Sequence, residues 1–316
     1  MKKLLTLLLV MVLLLTACSS GEGKKIKVGI LQYVEHPALD EARIGFEEEL
    51  KTLGVDAEID YKNAQGDIPT ARTIAEKFAS DKVDLIYAIA TPAAQAAAGA
   101  TKDIPVLFSA VTDAVSAKLV ESNEKPGGNV TGTSDAADLD AQLKMFQELD
   151  SNIKTIGMIY TADEENSIVQ VKQVEEIAPK VGLKTVTKSI SQISDLPQIA
   201  QAIIDEADAF YVLTDNKIAA SVSILADILK ENKKISVSAE ETQVSGGLLI
   251  SKSLSYNQLG KQTAEMAKKI LVDGAKPQDI PVETAKDLTV KYNKATLEAI
   301  GLDAGLEIIK GAEEVK

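Results

Sequence analysis

Lys25-Ile-Lys-Val-Gly-Ile-Leu-Gln-Tyr33 reappears as Asn152-Ile-Lys-Thr-Ile-Gly-Met-Ile-Tyr160, and further echoes follow in the same order. Leu53-Gly54-Val55 returns as Val181-Gly182-Leu183, and Asp67-Ile68-Pro69 as Asp195-Leu196-Pro197. Asp84-Leu-Ile-Tyr-Ala-Ile-Ala90 matches Asp208-Ala-Phe-Tyr-Val-Leu-Thr214, and Asp103-Ile104-Pro105-Val106 resembles Lys234-Ile235-Ser236-Val237. No single pair is specific. Five pairs in one order, offset by 124 to 131 positions, mark a duplication.

Within each half, short apolar runs such as Val28 to Leu31, Leu85 to Ala90 and Val106 to Ser109 alternate with amphipathic stretches. In one of these, Ala42, Phe46, Leu50 and Leu53 recur at helical spacing. Near-continuous apolar strands with helical crossovers imply parallel sheet covered on both faces. Right-handed crossovers then give two doubly wound α/β lobes. The run from Tyr256 to Leu271 predicts a late helix returning to the first lobe, followed by a strand at Leu288 to Tyr292 in the second. The chain then crosses several times, with a hinge expected near Asp135, Ser251 and Pro281.

The first residues read as an address. Lys2 and Lys3 precede an apolar run from Leu4 to Leu15, too short for a permanent membrane helix of about 20 residues. Leu15-Thr16-Ala17-Cys18 matches the lipobox of bacterial lipoproteins, which implies cleavage before Cys18 and its acylation. The expected division is a signal peptide at 1–17 and a lipid-anchored tether at 18–24. A first lobe at 25–135 plus 252–281 and a second at 136–251 plus 282–316 follow.

Composition narrows the functions. A net charge of −13 argues against nucleic acid as a partner. Cys18 is the only cysteine and His36 the only histidine, so a disulfide framework, a metal cluster or a Ser–His–Asp triad has little material. No glycine-rich phosphate loop ending in Lys-Ser/Thr and no Gly-x-Ser-x-Gly elbow occurs. No cofactor is expected.

Longer stretches carry a family pattern. They are Val28 to Pro37, Ala90-Thr91-Pro92-Ala93-Ala94-Gln95, Val111-Thr112-Asp113 and Gly128 to Asp135 in the first half. In the second half they are Glu165-Asn166-Ser167, Thr214-Asp215-Asn216, Val244 to Gly247 and Tyr256 to Gly260. The chain resembles ABC-transporter substrate-binding lipoproteins with the type I periplasmic-binding fold, close to the members that bind tryptophan or tyrosine. It departs from that pattern in Ala114, where Pro is expected, and in the turn Thr161-Ala162-Asp163. The resemblance implies a non-catalytic binder that passes a small molecule to a membrane permease driven by a separate ATPase.

Ligands of open parallel sheets lie beyond the carboxyl ends of the strands. That rule selects Gln32, Tyr33, Thr91, Pro92, Ala93, Asp113, Ser134 and Asp135 from the first lobe. From the second it selects Tyr160, Asn166, Ser167, Thr214, Asp215, Asn216 and Glu240. Thr91-Pro92-Ala93 and Asn166-Ser167 open helices whose amides and positive ends suit a carboxylate. Asp113, Asp215 and Glu240 are candidates to meet an ammonium group. Tyr33 and Tyr160 are candidate opposing walls for a flat ligand, whereas Tyr87 and Tyr211 read as core. The favoured ligand is an aromatic amino acid, with a branched-chain amino acid or a nucleoside-like heterocycle as alternatives. A surface receptor or enzyme is the competing class.

Overall fold

The computed structural model describes residues 25–285 and 287–315. The expected signal peptide, Cys18 and the tether lie outside the described residues. Among the described residues no helix is long and apolar enough to cross a membrane.

The first half forms β1 (Ile26–Gln32), α1 (Pro37–Thr52), β2 (Ala57–Asn63), α2 (Ile68–Ser80), β3 (Leu85–Ile89), α3 (Thr91–Ala100), β4 (Val106–Val111) and β5 (Val130–Ser134). The second half repeats the alternation with α4 (Leu139–Leu149), β6 (Thr155–Thr161), α5 (Glu165–Ile177), β7 (Lys184–Ile190), α6 (Leu196–Ile203), β8 (Ala209–Val212), α7 (Asn216–Ala219), α8 (Val222–Glu231), β9 (Ile235–Ser238), α9 (Glu241–Ser245) and β10 (Ile250–Ser253). The tail adds α10 (Tyr256–Leu271), β11 (Glu283–Thr284), β12 (Thr289–Tyr292), α11 (Lys294–Ile300), α12 (Glu307–Lys310) and β13 (Glu313–Glu314).

Two separate sheets result, in the orders β11-β5-β4-β3-β1-β2 and β13-β12-β10-β9-β8-β6-β7. The first is parallel throughout, and in the second only β12 runs antiparallel to its neighbour β10. Two cores flank the second sheet. Met158 and Tyr211 face one, Ile159, Phe210 and Val212 the other, as a two-residue side-chain period requires. Corresponding acids open the second pair of strands in each half. Asp84 accepts from Lys27 N at 2.9 Å, and Asp208 accepts from Lys154 N and Thr155 N at 2.9 and 2.8 Å.

The chain passes between the sheets at 135–138, 254–255 and 285–288. Two of these crossings differ from the expected positions. Residues 252 and 253 complete β10, and Glu283–Thr284 pairs with Thr133–Ser134 of the first sheet. A two-residue strand is too short to show its period in sequence.

Helix α10 is bound tightly to the first lobe. Its Thr263 hydroxyl lies 2.6 Å from that of Ser109 and 2.8 Å from that of Thr133, all three buried. Phe46 of α1 stacks on Tyr87 of β3 with centroids 4.0 Å apart, a contact worth about 0.5–1.5 kcal/mol beyond burial. Close approach of α1 and α10 needs two glycines. A Cβ on Gly45 would stand 2.1 Å from the Asn257 carbonyl oxygen, and one on Gly260 would stand 1.9 Å from that of Ala42.

Gly260→Ala is therefore expected to destabilise the fold by about 1–3 kcal/mol or more, because backbone and not a movable side chain blocks the methyl. Gly99→Ala in α3 meets nothing within 4 Å and should stabilise by roughly 0.5–1 kcal/mol. Urea unfolding of both variants measures the contrast.

Candidate functional site

The strand tips of the two lobes meet. Thr112 Oγ1 beyond β4 lies 3.1 Å from Thr214 Oγ1 beyond β8, and His36 Nε2 lies 3.5 Å from Asn216 Oδ1. Between these contacts is a cavity with about 250 Å³ of empty space, spread so thinly that little more than a water-sized sphere enters. His36, Leu39, Ala110 and Thr112 line it from the first lobe, with Asp135 from the first crossing and Tyr256 from the start of α10. Asn166, Thr214, Asp215, Asn216, Ala219 and Glu240 line it from the second. A register shift between β4 and β5, with Ala110 at a φ of 56°, turns the end of β4 toward this space, the usual work of a bulge beside a site.

The second lobe's wall is internally satisfied. Asp215 accepts from Thr161 N at 2.6 Å, Thr161 Oγ1 at 2.7 Å, Ser167 Oγ at 2.8 Å and Ile218 N at 3.0 Å. Glu164 takes the backbone N–H of Asn216 and of Lys217, at 3.0 and 3.1 Å, and the side-chain amides of Asn166 and Asn216. These two carboxylates occupy the start of α7 and pin it to β6 and α5. Burial, then the neighbouring Asp215, pushes the Glu164 carboxyl up, while its N–H donors pull it back.

The remaining acids are served poorly. Asp135 Oδ2 accepts from Tyr256 OH at 2.8 Å, but its Oδ1 is buried with no partner among the described residues. Burial raises Asp135, and burial raises Glu240 to about 7. His36 Nδ1 and Asn166 Oδ1 are likewise buried without partners. Burial lowers His36 to about 4, so the ring is neutral at pH 7. An unmet buried polar atom costs about 1–3 kcal/mol, and three of them belong to residues that line one cavity. Among the described residues no lysine or arginine lines it.

The other expected site residues fall elsewhere or do other work. Tyr33 is fully buried and donates to Gly66 O at 2.8 Å. Tyr160 lines a groove outside the cavity with Val171 and Lys172. They are not opposing walls, and a one-residue slip explains why. Val28 pairs with Leu85 as Ile156 pairs with Ala209, so Tyr33 corresponds to Thr161. A slip of one position turns a strand side chain to the opposite face, and Tyr160 shares the face of Ile156 and Met158.

Asp113 also lies off the cavity. Its carboxylate accepts from Val115 N, Ser116 N and Ser116 Oγ, closing its own turn. Ser134 accepts from Ala136 N and donates to Thr112 O at the first crossing. Asn166 and Ser167 direct their donors to Thr214 O, Glu164 and Asp215, which leaves no carboxylate cradle at the start of α5. Gln32 donates to Val34 O and Asp40. Thr91, Pro92 and Ala93 are buried at the start of α3, and Thr91 Oγ1 has no partner. His36, Thr112, Glu164 and Tyr256 reach the site without being among the expected ligand contacts, although His36 and Glu164 lie in the strand-tip stretches Gln32 to His36 and Tyr160 to Ser167. For His36 the signal was present: it is the N-cap directly before a Pro at the first turn of α1.

The two shifted groups pull stability in opposite directions. His36 is less basic folded than unfolded, so it favours unfolding as pH falls from about 6.5 to about 4. Glu240 is less acidic folded, so it favours unfolding as pH rises from about 4.5 to about 7. Relative to wild type, His36→Gln should gain stability toward pH ~4.5 and Glu240→Gln toward pH ~8, by up to about 3 kcal/mol each. Urea titrations of ligand-free protein across this range read both.

The chain is 41% identical over its whole length to a tyrosine-binding protein of Clostridioides difficile, covering 98% of that protein. A Streptococcus pneumoniae ABC domain solved in complex with L-Trp is 33% identical with a TM-score of 0.88, over 93% of this chain and 100% of that one. A ligand-free, open substrate-binding protein with adhesive properties from Clostridium difficile is 44% identical but has a TM-score of 0.71, over 92% and 99%. The model of the ABC transporter substrate binding protein family matches residues 27–316. The chain belongs to that family, with the fold of the type I periplasmic binding proteins.

Proposed function

We propose that this protein is the lipid-anchored, extracytoplasmic receptor of an ABC importer and clasps an aromatic amino acid (tyrosine, tryptophan or phenylalanine) between its lobes. One observation carries the reading: a buried cavity shared by both lobes is lined, among the described residues, by acids and unmet acceptors and by no lysine or arginine. Such a wall suits a cation. The relatives named for tyrosine and crystallised with L-Trp support an aromatic amino acid as its bearer.

The ammonium group would lie against Asp135 and Glu240, which reach the cavity from the first crossing and the second lobe. The carboxylate would lie at the start of α3, whose positive end and free Thr91 hydroxyl are not occupied by a protein acid. The starts of α5 and α7 are already filled by Glu164 and Asp215. An aromatic side chain needs a wider cavity than this one, so ligand entry requires the lobes to part and re-close around it. The more identical open relative fits this chain less well than the L-Trp complex does, which supports such a clasp.

Thermal-shift and calorimetric panels test the reading. L-Tyrosine, L-tryptophan or L-phenylalanine should raise Tm by mass action, and their des-amino acids should not. Asp135→Asn should weaken binding by roughly 10- to 100-fold. A panel in which only branched-chain amino acids or nucleosides bind would contradict the proposal.

A further inference from the structure

The surroundings of His36 determine which ring nitrogen carries its proton. Both oxygens of Glu164 accept from backbone N–H groups, of Asn216 and Lys217. The side-chain amide NH2 of Asn216 donates to the same carboxyl group. Asn216 Oδ1 then faces His36 Nε2, and only a protonated Nε2 can donate to it. A ring kept neutral by burial is left with a bare lone pair on Nδ1.

Asn166 is oriented by the same reasoning. Its NH2 donates to Thr214 O at 2.8 Å and to Glu164, so the unmet Oδ1 is an acceptor. The third unmet atom, Asp135 Oδ1, is a carboxylate oxygen. The three acceptors thus belong to residues that line one cavity: one is a carboxylate oxygen and two are neutral. A primary ammonium presents three N–H donors and one positive charge. A carboxylate or a phosphate would bring acceptors to acceptors.

We propose that His36 Nδ1, Asn166 Oδ1 and Asp135 Oδ1 together take the three N–H bonds of a primary ammonium group. His36 is then a specificity-determining residue, and Glu164 sets its tautomer from the other lobe through Asn216. The inference rests on the amino-acid reading above and assigns that ligand's nitrogen. It also links recognition to closure, because Asn216 and His36 belong to different lobes. With the lobes apart, nothing in this network prefers one tautomer. With them shut, the ring becomes an acceptor. A neutral imidazole supplies the third hydrogen bond without adding another carboxyl group to a wall that already holds Asp135, Asp215 and Glu240.

The test uses the purified protein and calorimetry with L-tyrosine, N-methyl-L-tyrosine, N,N-dimethyl-L-tyrosine and tyramine, on wild type and His36→Phe. Wild type should lose roughly tenfold in affinity for each N–H removed. His36→Phe should bind L-tyrosine roughly tenfold more weakly and discriminate less between it and the N-methyl form. Equal wild-type affinity for the primary and dimethylated amines overturns the inference, as does full discrimination in His36→Phe. Binding of tyramine without tyrosine, still graded by N-methylation of tyramine, sinks the amino-acid reading and leaves the ammonium site standing. Nitrogen NMR of wild type gives a second readout, since His36 is the only histidine. A pyrrole-type Nε2 with a pyridine-type Nδ1 that shifts on adding L-tyrosine is expected. A protonated Nδ1 in the bound state overturns the assignment.

Discussion

A carboxylate taken out of water must meet donors or give up its charge, and the four buried acids at this gap are not served alike. Asp215 and Glu164 are met from within the second lobe by backbone amides, hydroxyls and side-chain amides. Asp135 meets only part of its capacity, with Oδ1 unpartnered among the described residues, whereas Glu240 accepts from Thr242. The satisfied pair builds a rigid wall, because it ties the tip of β6 and the starts of α5 and α7 together. Asp135 keeps an unmet oxygen, to which the proposed ammonium group would donate. Both features follow from where the strands end.

The duplication explains why the lobes contribute differently. Asp84 and Asp208 do the same local work in each half, and Gly29 and Gly157 each lie under an aromatic ring where a Cβ would stand 2.7 Å away. Divergence is concentrated at the strand tips. The position after β3 that corresponds to Asp215 is Thr91, by the matched pairings of β1 with β3 and β6 with β8. A helix start already filled by a protein carboxylate cannot hold a second anion, whereas one opened by a neutral hydroxyl can. One fold copied twice has thus given a self-satisfied end and a receptive end.

Much of the architecture was legible because it is periodic. Alternating apolar runs, repeated punctuation by Asp-x-Pro and a late amphipathic helix define two doubly wound lobes without coordinates. What was not legible depended on parity or on contacts distant in sequence. The first repeat aligns by eye as Tyr33 with Tyr160, but pairing shows Thr161 in that place, and one residue decides which face a side chain takes. Asp113 and Asp135 look alike as acids after strands. Only the first has nearby turn amides and a hydroxyl to absorb its charge. Gly45 and Gly260 lie over two hundred positions apart, and nothing local announces that their helices touch. His36 followed the opposite course: its chemistry as a lone histidine argued for little, and its partner across the gap gives it a role.

Clasping a ligand requires lobes that part and close about the crossings that follow β5, β10 and β11. The direct measurement is a pulsed-EPR distance between spin labels on exposed rim positions of the two lobes, Val115→Cys and Glu176→Cys, in a chain carrying Cys18→Ser. A broad distribution that shortens and narrows on adding an aromatic amino acid is predicted. A distribution identical with and without a ligand that binds tightly would contradict the clasp.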